Sequence, residues 1–360
     1  MPPLLTTYHI LLTCGTGGVG KTTLAAALGV AAARAGRRTL VLTIDPARRL
    51  ADALGIKTFS DQAQRVWPKK GAKEAGTLDA MMLDVKGTFD RVIERYAPDR
   101  RAAQTILNNP LYQQLSTAIA GSQEYMAMER LYEVVAQDAY DLIILDTPPT
   151  QHALDFFQAP QRMVRALSDS MLKLFTAPAL AAGKFGAKLF ARGADRLMQL
   201  FGRVTGVELL QEMADLIQST VGLFGGFAAR ADAVHQLLRA PTTGIVLVVG
   251  PQRDLLDDAQ TFATAATEQG MHLAGVILNR AMPAFAAAPT LPATLDPALA
   301  ARLRDNDARC RDVQRAQQAA FHALQAALPP DLPHWTIPER ATPPQRLDDL
   351  AECVAAVSIG

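Results

Sequence analysis

Cysteine is scarce in this chain of 360 residues: Cys14, Cys310 and Cys353 are all there are, and no two form a C-x-x-C pair. That excludes a disulfide framework and a cysteine-built zinc site, and it suits a reducing compartment. Net charge is nearly absent, at +1. A nucleic-acid binder relying on a broad positive field is thereby excluded, and no nucleic-acid partner is expected. No run of about 18 or more apolar residues occurs, so no membrane span is expected. The opening residues, MPPLLTTYHILL, carry neither a basic stretch nor a small-residue cleavage site. No signal peptide is read, and the expected location is the cytoplasm.

What is present is the balance of an ordinary globular protein, 49% hydrophobic and 20% charged, in a chain long enough to bury a sizeable core. Short apolar runs stand at 8–13, 39–44, 79–84, 140–146, 244–250, 273–279 and 334–338. They lack apolar/polar alternation, which suits strands covered on both faces and hence a mostly parallel sheet. Strand and helix alternate along the chain, so the expected fold is α/β, doubly wound, with helices on both faces. Residues 86–137 and 155–240 break the rhythm. They contain no good strand, read as helical insertions, and are expected to form an α-helical subdomain within a single domain spanning 1–360. Loops are expected at 67–76 and 283–298.

Between the first strand and the first long helix stands TCGTGGVGKTT, residues 13–23. Gly15, four further residues and then Gly20, Lys21 and Thr22 satisfy G-x-x-x-x-G-K-[ST] in the strand-to-helix setting that the motif requires. Gly15, Thr16, Gly17, Gly18, Val19 and Gly20 form a loop whose backbone N–H groups can turn inward on phosphate oxygens. The helix beginning at Lys21, Thr22 and Thr23 adds its positive end. Lys21 would bring charge to the β- and γ-phosphates, and the Thr22 hydroxyl would ligate Mg²⁺.

Two carboxylates end later strands. Asp45, after the second, stands where a carboxylate orients or deprotonates an attacking water, or else caps the next helix. Asp146 would hold Mg²⁺ through water. The loop that follows it reads either as a segment responsive to the γ-phosphate or as a proline-stiffened turn.

In this order, GTGGVGKTT, DPARRLADALG and DTPPTQHALDFF resemble the P-loop, switch I and switch II of the ArsA/GET family. That family comprises the arsenite-pump ATPases and the ATPases that deliver tail-anchored membrane proteins, within the deviant-Walker-A group of P-loop NTPases. GSQEYMAMERLYE (121–133) and LAGVILNRAMP (273–283) are also similar to its bacterial members. The resemblance implies binding of ATP and ADP with Mg²⁺, and ATP hydrolysis with Asp45 positioning the water. It also implies that Asn279 contacts the adenine and that Pro338 lies near the base. It further implies a nucleotide-switched dimer, either a homodimer or a heterodimer with a related ATPase.

The sequence departs from that family at Thr16. The family loop reads G-K-G-G-V-G-K-T-T, and its first lysine reaches phosphates bound in the opposite subunit, as an arginine finger does. Thr16 is short and uncharged. Either another cation takes over (Arg48 and Arg49 being candidates), or a lysine-bearing paralogue pairs with this chain, or the chain hydrolyses slowly and acts as a nucleotide-gated binder. Slow but real hydrolysis is favoured, because Lys21, Thr22, Asp45 and Asp146 are all kept.

The stretch 184–204 places Lys184, Lys188, Arg192 and Arg196 on one helical face, with Phe185, Leu189, Leu197, Leu200, Phe201 and Val204 largely opposite. It reads as a helix packed on its subdomain, as part of a groove for a hydrophobic client protein, or as a surface for a membrane-associated partner. Met163, Met171, Met198 and Met213 would supply adaptable contacts to a client. Arsenite is poorly supported as cargo, because soft metalloids want clustered thiolates. Cys14 reads as a small buried apolar residue in preference to a redox handle.

Overall fold

The computed structural model describes residues 4–44, 49–56, 60–68, 75–115, 122–147, 224–283, 285, 290–292, 294–344, 346–355 and 358–359. Asp45, Arg48, the switch II loop after Thr147 and the amphipathic stretch 184–204 lie outside these residues.

The elements run in the order α1 (Leu4–Thr7), β1 (Ile10–Cys14), α2 (Lys21–Arg34), β2 (Arg38–Thr43), α3 (Arg49–Leu54), β3 (Gln64–Trp67), β4 (Thr77–Met82), α4 (Val85–Tyr96), α5 (Arg100–Leu107), α6 (Pro110–Leu115), α7 (Ser122–Val135), β5 (Leu142–Asp146), α8 (Phe224–Arg239), β6 (Thr243–Val249), α9 (Arg253–Glu268), β7 (Leu273–Ala281), α10 (Pro297–Ala326), β8 (His334–Pro338), α11 (Leu347–Ala355) and β9 (Ser358–Ile359). By internal contacts the chain divides into two compact units. One comprises Met1–Leu83, Glu133–Leu154 and Leu237–Gly360, and the other Asp84–Tyr132 and Asp155–Gln236.

The first unit is built on a nine-stranded sheet of order β3-β4-β2-β5-β1-β6-β7-β8-β9. The inner seven strands pair in parallel, and β3 and β9 close the edges antiparallel. All seven expected strands are present. The two edges were not expected: β3 takes Trp67 from the expected loop at 67–76, and α10 takes the last two residues of the expected loop at 283–298. Helix α2 explains why the central strands are apolar on one of their two faces. Its run LAAALGV is buried on every side, packed against Leu11, Val41, Ile144, Val246 and Val248 of the sheet and against Leu350, Cys353 and Val354 of α11. Alanine is the best helix former, and its small side chain lets helix and sheet approach closely.

Helix starts follow the sequence locally. Asp84, Asp99 and Asp296 cap α4, α5 and α10, their carboxylates accepting from the N–H of Gly87, Ala102 and Leu299 at 3.0, 2.8 and 2.9 Å.

In the described part of the second unit there are helices only. Its interior holds Tyr125, Met126, Met128 and Leu131 of α7 together with a buried carboxylate, Glu129. Arg230 donates to Glu129 at 2.8 Å and stacks 3.9 Å above the Tyr132 ring. An arginine placed this way satisfies a carboxylate that burial would otherwise penalise.

At the opposite end of the sheet from the phosphate loop, Arg37 donates to the carbonyls of Leu5, Tyr8 and Asp141. Arg38 donates to the Asp141 carboxylate through its backbone N–H (2.8 Å) and its guanidinium (2.6 Å). The Arg38 hydrogen bond holds the Asp141 carboxyl below the usual carboxylate range. A carboxylate with a lowered folded-state pKa stabilises above its unfolded pKa, and that stabilisation is lost as pH falls through the folded value. The pair is partly exposed, so its contribution is small. Asp141→Asn is expected to lower the melting temperature by about 1–3 °C at pH 7. The difference from wild type should close as pH drops below about 4, followed by circular dichroism melts.

Candidate functional site

Parallel pairing carries the ends of β1, β2, β5, β6, β7 and β8 to one rim, where open α/β sheets bind ligands. Strand register sets the first contacts. Asp146 lies opposite Thr13 on one neighbour and Thr43 on the other. It is fully buried, and the Thr43 hydroxyl donates to its Oδ2 at 2.9 Å. Thr147, the next residue, donates to the Thr13 carbonyl at 2.8 Å. A carboxylate removed from water in this way is held in one orientation.

The loop leaving β1 is shaped by glycine. Gly15 has φ +150° and Gly20 φ +94°. A Cβ at Gly15 would run into the Val248 carbonyl, and one at Gly20 into the Asn279 amide. No other residue fits either place. Gly20 begins α2 without a side-chain cap, so the first-turn N–H groups of Lys21, Thr22 and Thr23 stay available to an anion. Lys21 is 6% exposed, and its ammonium donates to the Thr16 carbonyl at 2.9 Å. The positive charge therefore sits inside the loop. Thr16, Gly17 and Gly18 form its outer lip, and Val19 is buried beneath it.

Asn279 and Pro338, assigned on resemblance alone, line one pocket with Gly20, Thr23, Leu24, Arg340 and Cys353; its volume is about 370 Å³. Asn279 donates through Nδ2 to the Val19 carbonyl at 2.8 Å, tying β7 to the loop across 260 positions of sequence. Cys14 is buried, and burial pushes its thiol up to about 12 against the smaller opposing pull of Lys21. It is a neutral packing residue.

Reading the sequence missed Thr43, Thr147 and Arg280. The two threonines were visible as polar breaks at the ends of apolar strands. Arg280, whose guanidinium donates to the Gly18 carbonyl at 3.3 Å, gave no local signal. Among the described residues no group of three or more His, Cys, Asp or Glu side chains could hold a metal ion, and no helix is long and apolar enough to cross a membrane.

A family model described as anion-transporting ATPase, of ArsA type, matches residues 8–294. The chain belongs to the ArsA ATPase family. This ArsA-family chain is similar to the ATPase GET3 of Malassezia globosa, 32% identical over 154 residues, or 43% of each chain. It is also similar to the ATPase get3 of Aspergillus terreus, 31% identical over 205 residues, covering 56% of this chain and 55% of that one. A third relative is the ATPase ASNA1 homolog 1 of Paramecium tetraurelia, 30% identical over 181 residues, covering 48% and 51%. The matches thus span about half the length of these relatives.

The burial of Cys14 is checked by alkylation. In the native protein at pH 8, iodoacetamide should label Cys14 at least about a hundredfold more slowly than half-exposed Cys310, as read by peptide mass spectrometry. Equal rates would place Cys14 in contact with solvent.

Proposed function

We propose that this ArsA-family chain is an Mg²⁺-dependent ATPase whose hydrolysis is slow, and that it works as a nucleotide-switched dimer. The observation carrying this reading is the convergence, on one sheet rim, of a glycine-built anion cradle, an enclosed lysine and a buried, threonine-held carboxylate. A pocket lined by Asn279 and Pro338 adjoins them, and of nucleotide size it would admit the base beside Thr23 while the polyphosphate enters the cradle.

The roles follow from chemistry. Backbone N–H groups of 15–20 and the start of α2 hold phosphate oxygens, and Lys21 offsets charge that builds during cleavage. A carboxylate and a hydroxyl are hard oxygen donors that suit Mg²⁺, so Thr22, with Asp146 through water, would hold the ion. When bound, the metal supplies positive charge against the β- and γ-phosphates. Asp45, assigned from its place after β2, would orient the attacking water and take its proton. Loss of the γ-phosphate would relax the segments 45–55 and 146–156 and reshape the helical insertions 86–137 and 155–240, which would bind a hydrophobic client or a membrane-associated partner.

Thr16 favours a second reading: a nucleotide-gated binding subunit with little turnover, paired with a lysine-bearing paralogue. Turnover measured alone and with such a paralogue separates the two.

Calorimetry should detect Mg²⁺-dependent binding of ATP and ADP; no association would overturn both readings. Single-turnover hydrolysis should fall about 10²–10³-fold in Asp45→Asn, and a wild-type rate no faster than that variant's would remove the enzymatic half. Thr16→Lys, restoring a finger across the dimer, is expected to raise turnover by about 10²–10³-fold, read as phosphate release at saturating ATP.

A further inference from the structure

Arg280, next to last in β7, has a conformation that residues other than glycine rarely adopt, with φ +58°. The β7–β8 register shifts at the same place, between Asn279 and Ala281. A bulge with a left-handed arginine costs energy within a parallel ladder, and such costs gather where a side chain has to be aimed. Here two consecutive side chains are aimed. Asn279 donates to the carbonyl of Val19 and Arg280 to the carbonyl of Gly18. Arg280 forms no ion pair with a carboxylate among the described residues, its side chain is exposed, and it lines the pocket beside the loop.

The consequence follows from peptide geometry. In a trans peptide the C=O and the N–H of one plane point opposite ways. The Gly18 carbonyl shares its plane with the Val19 N–H, and the Val19 carbonyl shares its plane with the Gly20 N–H. Drawing both carbonyls toward β7 turns both N–H groups the other way, into the hollow where an anion would sit. Successive N–H groups converging in this manner make an anion-binding nest. Through its 3.3 Å hydrogen bond the guanidinium places a cation beside a cradle whose lip carries the uncharged Thr16.

We propose that Arg280 is a positioning residue that sets the phosphate loop for polyphosphate, acting through the Gly18–Val19 peptide. It thereby supplies in cis part of the positive charge that Thr16 does not. The proposal rests on the nucleotide reading above and deepens it: Arg280, although it also lines the pocket, tunes affinity for the phosphates more than for the base.

The test compares ADP with adenosine. Arg280→Met should weaken ADP binding by about tenfold or more, measured by calorimetry, and adenosine binding by several-fold less than that. Its loss should grow from ADP to ATP, and Arg280→Lys should recover most of it. Arg280→Gly, which relaxes the left-handed backbone and cannot misfold for that reason, should show the same split. ADP affinity unchanged in Met and Gly variants would overturn the proposal, as would a parallel loss of adenosine, because the residue would then merely shape the pocket. A wild-type protein that binds no ADP would fail differently, by removing the nucleotide reading itself.

Discussion

The rest of the structure depends on one constraint: strands that run in parallel must finish together. Pairing of β2, β5 and β1 in register sets Thr43, Asp146 and Thr13 abreast, and pairing of β1 with β6 lays the Val248 carbonyl against Gly15. A slip by one residue in any of these ladders would exchange the side chains packed on the two faces and carry the polar ends out of line. The registry that fills the core thus also aligns the chemistry. The central strands are buried on both faces, and the polar ends of β1, β2 and β5 meet at the rim.

Helix α2 is the second half of that constraint. It is buried on all sides and opens with unsatisfied N–H groups directed at the loop. Its alanine-rich body lets it sit deep between the sheet and α11, and the depth brings Lys21 under the glycine lip with little solvent around it. In such surroundings a single charge exerts a longer reach than it would at the surface. For the Cys14 thiol, burial outweighs both the Thr147 hydrogen bond and the Lys21 charge, and the group remains neutral.

The parts of this architecture that were legible in the sequence share a physical cause. Six of the seven expected strands were visible as apolar runs because both their faces are largely buried, whereas β8 buries alternate residues. β3, with the sequence QRVW, and the two-residue β9 were not visible, since edge strands are short and need to satisfy only one neighbour. The loop 15–22 was readable because its chemistry is contiguous. The Thr43–Asp146 bond joins residues 103 apart, and the Arg280–Gly18 bond joins residues 262 apart. Nothing local to either partner announces such a pairing. Asn279 was reached only through resemblance, because an asparagine closing a strand looks like any other.

The pocket beside the loop has two walls from different stretches of the chain. The family match covers residues 8–294 and so takes in every residue from Gly15 to Thr23, with Asn279 and Arg280. Ile337, Pro338, Glu339, Arg340, Pro343, Pro344 and Cys353, which make the facing wall, come after it. The residues that would hold phosphate and the residues facing them across the pocket are therefore carried on different stretches of the chain. The carbonyls of Thr16, Gly18 and Val19 accept from Lys21, Arg280 and Asn279, so a substitution on the facing wall leaves those three donors in place.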